Sequence, residues 1–243
     1  MKLLFSTVFS LAALVGASVA IADDAPSEGA RLAFQGGEGI AACSSCHALN
    51  GWGTVQSHAP ALAGLDAGYS AAQIRKFKEG ERSHESMDPI AKVITDAQID
   101  AVAEYYATLP KGRASEAALP PEQAQVADRL ATRGDWQRDI PACERCHGPG
   151  GRGVGESFPA LAGQHAFYLE AQLTGWRKGQ RKGDPNGMMK AIADRLTKDE
   201  IAALTAYYAS ADPNPPGAQP AGGAPPAAAE PAAQPESDNG GAR

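Results

Sequence analysis

All four cysteines of the 243-residue chain lie in two copies of one pattern, Cys43-Ser44-Ser45-Cys46-His47 and Cys143-Glu144-Arg145-Cys146-His147. C-x-x-C-H is the spacing of covalent haem c attachment. Two thiols reach the two vinyl groups on one edge of the macrocycle, and the next residue sets an imidazole under the iron. Cys43, Cys46, Cys143 and Cys146 are the expected thioether positions, and His47 and His147 the expected iron ligands. A thioredoxin-like dithiol would need a βαβ context that the chain lacks. A zinc site would need further Cys or His ligands at finger-like spacing. A disulfide between C-x-x-C neighbours closes too small a loop to act as a staple. A doubled motif that uses every cysteine favours two haems over all three.

The second axial ligand must come from elsewhere. Beyond Met1, the methionines are Met87, Met188 and Met189, each past a haem motif and just before the last apolar-periodic stretch of its half. A thioether opposite an imidazole closes the iron coordination and raises its potential, which suits electron transfer. Core filling is the other use of methionine, but no methionine occurs elsewhere in the mature chain. His58, His84 and His165 are other possible distal ligands, yet none recurs at the matching position of the other copy. Pro60 and Pro159 follow the haem histidines, and a backbone carbonyl there could accept the second ring N–H; a plain loop proline is equally open. The glycine-rich residues 148–155 do not follow a strand, which argues against a phosphate loop. They are expected to let the backbone pass close to the porphyrin edge.

These residues recur because the chain is duplicated. Pro60-Ala61-Leu62-Ala63-Gly64 returns as Pro159-Ala160-Leu161-Ala162-Gly163, and residues 101–107 return as 203–209. Thr95, Tyr105 and Tyr106 match Thr197, Tyr207 and Tyr208 at an offset of 102, which places Met87 on Met189 rather than Met188. Neighbouring side chains in an extended loop point apart, so Met189 is expected to ligate and Met188 to pack.

Each copy reads as helical. Residues 95–98 and 197–200 are T-x-x-Q and T-x-x-E capping boxes ahead of apolar residues at i, i+3, i+4 and i+7. Middle helices are expected from about Ser70 to Gly80 and through Leu169, Leu173 and Trp176 to Gly179, and short first helices over 28–34 and 123–132. No stretch alternates as a strand would. Aromatic content is only 6%, low for two cores unless a porphyrin fills part of each. Residues 1–22 read as a secretory signal ending in Ala20-Ile21-Ala22, cleaved after Ala22, which implies a periplasmic protein; retention as a membrane anchor is the alternative. The expected domains are 23–112 and 123–212, joined by a linker over 113–122. Residues 213–243 hold eight prolines and almost no large apolar residue, and are expected to be a disordered tail.

The sequence resembles the cytochrome c4 family over about residues 25–211, most closely in Phe158-Pro159-Ala160-Leu161-Ala162-Gly163-Gln164-His165 and Met188-Met189-Lys190-Ala191-Ile192-Ala193. The resemblance implies an all-α chain of two tandem class I cytochrome c domains facing each other across a pseudo-twofold axis. It implies two haems with His47/Met87 and His147/Met189 ligation, and Pro60 and Pro159 carbonyls that hold the haem histidines. It also implies a periplasmic donor to a terminal oxidase. Ser57-His58-Ala59 departs from the family, which has an aromatic residue before the proline.

The expected function is electron carriage from a membrane quinol-oxidising complex to a terminal oxidase, without catalysis of its own. The rivals are a diheme peroxidase, a thiosulfate dehydrogenase and a cytochrome subunit of a larger dehydrogenase. A net charge of -6 without a long basic run speaks against nucleic acid; membrane contact is expected to be peripheral or absent. Charge is uneven: residues 23–112 carry 7 Lys and Arg against 12 Asp and Glu, and residues 113–212 carry 13 against 13. Arg177, Lys178, Arg181, Lys182 and Lys190 form an expected basic patch that orients the carrier at a partner.

Overall fold

The computed structural model describes residues 26–114 and 118–214. The expected signal peptide, and all but the first two residues of the expected tail, lie outside them. Ten α-helices among the described residues fall into two runs of five. The first run is α1 (Glu28–Gln35), α2 (Ser44–His47), α3 (Ala67–Lys78), α4 (Met87–Val93) and α5 (Asp96–Thr108). The second is α6 (Pro121–Thr132), α7 (Glu144–His147), α8 (Ala166–Arg177), α9 (Met188–Arg195) and α10 (Lys198–Ser210). Extended pairing among the described residues is confined to isolated bridges, and these too recur: Thr54 with Ala59, and Val154 with Phe158.

Local chemistry sets the helix ends. The Thr95 and Thr197 hydroxyls accept the N–H groups of Gln98 and Glu200, whose side chains accept the threonine N–H in return. The middle helix starts at Ala67 rather than near Ser70, because the Asp66 carboxylate accepts the Tyr69 N–H and caps an earlier turn. Pro121 opens α6 two residues before the expected start; its missing N–H costs nothing in a first helical turn.

Each run closes its own core. In the first, Leu32, Ile99, Val102 and Tyr106 pack together; in the second, Leu130, Ile140, Ile201, Leu204 and Tyr208 do. α1 crosses α5 at a glycine: a Cβ on Gly29 would stand 2.1 Å from the Ala101 carbonyl oxygen.

The two halves meet through side chains on and after α3 and α8. Arg82 donates to the Tyr168 hydroxyl at 3.0 Å and to Gln172 Oε1 at 2.9 Å. Arg181 donates to Gln73 Oε1 at 2.9 Å and to the Tyr69 hydroxyl at 3.5 Å. Tyr69, Gln73 and Arg82 match Tyr168, Gln172 and Arg181 at a common offset of 99, so the bonds are exchanged as a pseudo-twofold requires. Each guanidinium also lies over an aromatic ring, Arg82 4.5 Å from the centre of Phe77 and Arg181 4.0 Å from that of Trp176. Arg181 is thereby drawn into the contact between halves and leaves the expected basic patch, while Arg177, Lys178, Lys182 and Lys190 remain exposed.

Candidate haem sites

The single-turn helices α2 and α7 give each motif its geometry. His47 N–H donates to the Cys43 carbonyl at 2.9 Å, and His147 N–H to that of Cys143 at 2.9 Å. Residues i, i+3 and i+4 of such a turn share one face, so both thiols and the imidazole are presented together. The turn stops at once, because Ala48 (φ 64°) and Gly148 (φ 76°) turn the chain into the left-handed region. Ala48 holds a conformation that Gly148 adopts without strain.

The thiols are free rather than paired. Cys43 Sγ lies 3.8 Å from the Leu32 carbonyl oxygen, and Cys143 Sγ 3.7 Å from that of Leu130. Burial pushes both thiols up to about 11, the opposite of the depressed thiol of a dithiol oxidoreductase. The redox-pair reading therefore has no support at either site.

Both haem histidines are buried. His47 Nδ1 lies 2.9 Å from the Pro60 carbonyl oxygen, and His147 Nδ1 2.8 Å from that of Pro159. Burial lowers the pKa of both rings, against the raising effect of those carbonyls. Each ring is therefore neutral near pH 7 with its proton on Nδ1, which leaves the Nε2 lone pair for a metal. The proline carbonyls are themselves held. Leu62 and Ala63 donate to the Gly51 carbonyl at 2.7 and 3.0 Å, and Leu161 and Ala162 repeat this on Gly151 at 2.7 and 3.0 Å.

The glycines after the motif serve this packing. A Cβ on Gly151 would lie 2.4 Å from the Tyr208 ring, and one on Gly51 2.9 Å from that of Tyr106. At these two positions a tyrosine ring makes the close approach.

Met87 begins α4, and Met188 and Met189 begin α9. The expected extended loop is therefore a helical turn, in which successive side chains diverge by about 100°. Met188 is 42% exposed, whereas Met87 and Met189 are half-buried. The Asp184 carboxylate accepts the N–H groups of Met189 and Lys190 at 3.1 and 2.8 Å and holds that turn.

The other histidines are occupied otherwise. His84 is exposed and its Nδ1 accepts the Ser86 N–H at 3.3 Å. His58 is exposed and meets the Phe167 ring edge-on. His165 stacks on Phe167 and donates from Nε2 to the Trp52 carbonyl at 2.8 Å, across to the first half. Sequence reasoning missed the contact residues Tyr69, Gln73, Arg82, Gln164, Tyr168 and Gln172. The common offset of 99 in three pairs was the available signal; Gln164 stands opposite Leu65 and had none.

The residues fit a haem in each half. Each offers a half-buried thiol, a second cysteine one turn on, and a neutral imidazole with Nε2 free of the proline carbonyl. Buried polar atoms without hydrogen-bond partners, Tyr106 Oη and Tyr208 Oη, lie in the two cores; such atoms are rare in a finished interior. A prosthetic group with a polar edge would be expected beside them.

A family model described as cytochrome c matches residues 27–110 and again 140–212. A thiosulfate dehydrogenase electron acceptor from Stutzerimonas stutzeri (strain A1501) is 44% identical over 186 residues, covering 76% of this chain and 86% of that protein. A cytochrome c4 from Thiocapsa roseopersicina is 40% identical over 168 residues, covering 68% and 84%. Among solved structures, thiosulfate dehydrogenase (TsdBA) from Marichromatium purpuratum superposes with a TM-score of 0.71 at 47% identity, over 76% of this chain. The chain spans only 40% of that longer one. Two matched domains, each with its own C-x-x-C-H turn and carbonyl-bonded histidine, mean two covalently bound haems. The chain belongs to the cytochrome c family, as a diheme electron carrier of the cytochrome c4 type.

Proposed function

We propose that this carrier is the electron acceptor of a periplasmic dehydrogenase of the thiosulfate-oxidising class and passes its electrons on towards a terminal oxidase. The observation that carries this reading is the 44% identity, over 186 residues, to a thiosulfate dehydrogenase electron acceptor. The likeness to the TsdBA structure supports it. The bound haems supply reversible one-electron chemistry at iron. The protein's part is to hold each iron closed and at a set potential. His47 and Met87 would hold the first iron and His147 and Met189 the second, with the Pro60 and Pro159 carbonyls fixing the histidine tautomers. The domains run over 23–112 and 123–212. Residues 1–22 direct export; among the described residues no helix is long and apolar enough to cross a membrane.

The second reading, electron carriage from a membrane quinol-oxidising complex to a terminal oxidase, is favoured by the 40% identity to a cytochrome c4. Stopped-flow reduction decides between them. The oxidised protein is mixed with thiosulfate dehydrogenase and thiosulfate, and separately with a quinol-oxidising complex and quinol. Faster reduction of both haems by the dehydrogenase supports the proposal. Slow reduction there with fast reduction by the quinol-oxidising complex overturns it in favour of the second reading.

A further inference from the structure

The peptide unit between Pro60 and Ala61 is bonded at both ends. Its carbonyl accepts the His47 Nδ1–H at 2.9 Å. Its N–H donates to Oε1 of Gln164 at 2.9 Å, a residue of the other half. The Gln164 amide is oriented unambiguously, because its Nε2 donates at 2.9 Å to the Ala61 carbonyl, the next acceptor along the chain. Oε1 also takes the His165 N–H at 3.0 Å. His165 is tied in turn to the Trp52 carbonyl of the first half, at 2.8 Å. Gln164 is 5% exposed, so water does not compete for these bonds.

Among the described residues the Pro159–Ala160 peptide has no counterpart to this bond. Leu65 stands 99 positions before Gln164, at the offset that relates the contact residues, and an isobutyl group has no oxygen to offer the Pro159–Ala160 peptide. Two histidines with matching geometry to their own proline carbonyls therefore sit behind unequal peptides.

Hydrogen bonds in a chain polarise one another. An acceptor on the Ala61 N–H draws electron density onto the Pro60 oxygen. That oxygen then holds the His47 proton more strongly and makes Nε2 a better donor. A more basic imidazole stabilises ferric over ferrous iron and lowers the reduction potential. We infer that Gln164 is a positioning residue for the first haem: from the second domain it polarises the Pro60–Ala61 peptide and depresses the potential of the haem that His47 ligates. Domain contact is thereby part of the redox setting of one haem and not of the other. This inference rests on the proposed ligation by His47.

The test is Gln164→Met in the full holoprotein, which keeps length and removes all three hydrogen bonds of the side-chain amide. A spectropotentiometric titration resolves the two midpoints, and haem-methyl NMR shifts followed through the titration assign each to a domain. The first haem should rise and the second stay. The expected change is about threefold in the one-electron equilibrium between them, within the net worth of one hydrogen bond and equal to ~30 mV at 59 mV per tenfold. The His47 Nδ1–H resonance should move and that of His147 should not. Gln164→Asn, one methylene short, should move the first haem in the same direction and serves if the Met variant fails to assemble. Tyr168→Phe removes a hydrogen bond between the halves away from this peptide and should leave both midpoints in place. Unmoved midpoints in the Gln164 variants overturn the inference, as does an equal shift in Tyr168→Phe, which would mean loosened packing. A six-coordinate His–Met spectrum for the first haem in His47→Ala would overturn the ligation itself, a separate failure.

Discussion

The carboxylate of Asp184 accepts the N–H of Met189 at 3.1 Å and that of Lys190 at 2.8 Å. Asp184 lies in a segment that is three residues longer than in the first half, since Arg82 precedes Met87 by five positions and Arg181 precedes Met189 by eight. The added residues form the 3-10 turn Pro185–Gly187 and end in left-handed Gly187 (φ 64°). The cap binds this turn to the start of α9, which leaves Met189 half-buried and Met188 exposed. Met189→Ala should abolish the Met–iron charge-transfer band of one haem, lower its potential and admit cyanide. Met188→Ala should leave the band in place. Optical titration of both variants checks this, and Asp184→Ala should weaken the band without removing it.

Gly151 carries a positive φ of 69°, and a Cβ there would stand 2.4 Å from the Tyr208 ring. Gly151→Ala should cost roughly 2–4 kcal/mol, from backbone strain and overpacking together. Denaturant unfolding of the holoprotein, followed at the Soret band, measures it. Tyr208→Leu in the same chain should recover part of the loss by making room.

Covalent attachment is countable. Protein matured in a host with haem-attachment machinery should show a mass of the chain from Asp23 plus two haems. Cys43→Ser with Cys46→Ser should lose one haem and retain the other, because each attachment turn is a local structure. Haem released by acid acetone from the unaltered protein would contradict the thioether assignment.

Arg138 binds both Glu200 carboxylate oxygens and Asp135 Oδ2, which joins the loop before the second motif to the start of α10. Burial raises the Glu200 pKa, but Arg138 and the Thr197 N–H outweigh it and the net shift is downward. The Arg138 hydrogen bond lowers Asp135 likewise. A depressed carboxylate contributes stability that is present above its unfolded value, about 4, and is lost as pH falls through the folded value. Arg138→Met should therefore lower Tm at pH 7, with the gap from the unaltered protein closing below pH 4. Thermal scans from pH 7 to 3 test this.

Arg177, Lys178, Lys182 and Lys190 are exposed on the second half. Reversing the four to Glu should slow association with an acidic partner surface by about tenfold or more at low salt and flatten its salt dependence. Arg181 is left in place because it holds Gln73 and Tyr69. Stopped-flow reduction at several ionic strengths reads the effect; unchanged rates with every partner would show the patch to be merely solvated.

The cofactor was legible because its chemistry is local. Cys43, Cys46 and His47 lie within one helical turn, so their spacing in sequence is already their geometry. The capping boxes at Thr95 and Thr197 were legible for the same reason, as their bonds span three residues. The repeat register singled out Met189 although the environment expected for it was wrong: an extended loop was read where Asp184 caps a helix. That cap acts across an inserted turn, and a match between repeats has no counterpart for inserted residues. The bonds of His47 to Pro60 and of His147 to Pro159 close loops of 13 and 12 residues; spacing alone left a plain loop proline equally open, and only the family resemblance implied them, because loop closure is a property of the fold. The contact between halves was decided by tertiary structure alone. Arg82, Arg181 and Gln164 look in sequence like surface polar residues, and only the docking of one half on the other buries Arg82 and Gln164 and half-buries Arg181. Gln164 is the limiting case: its partner is a backbone peptide 103 residues away. A peptide group has no residue type, so no sequence pattern announces it.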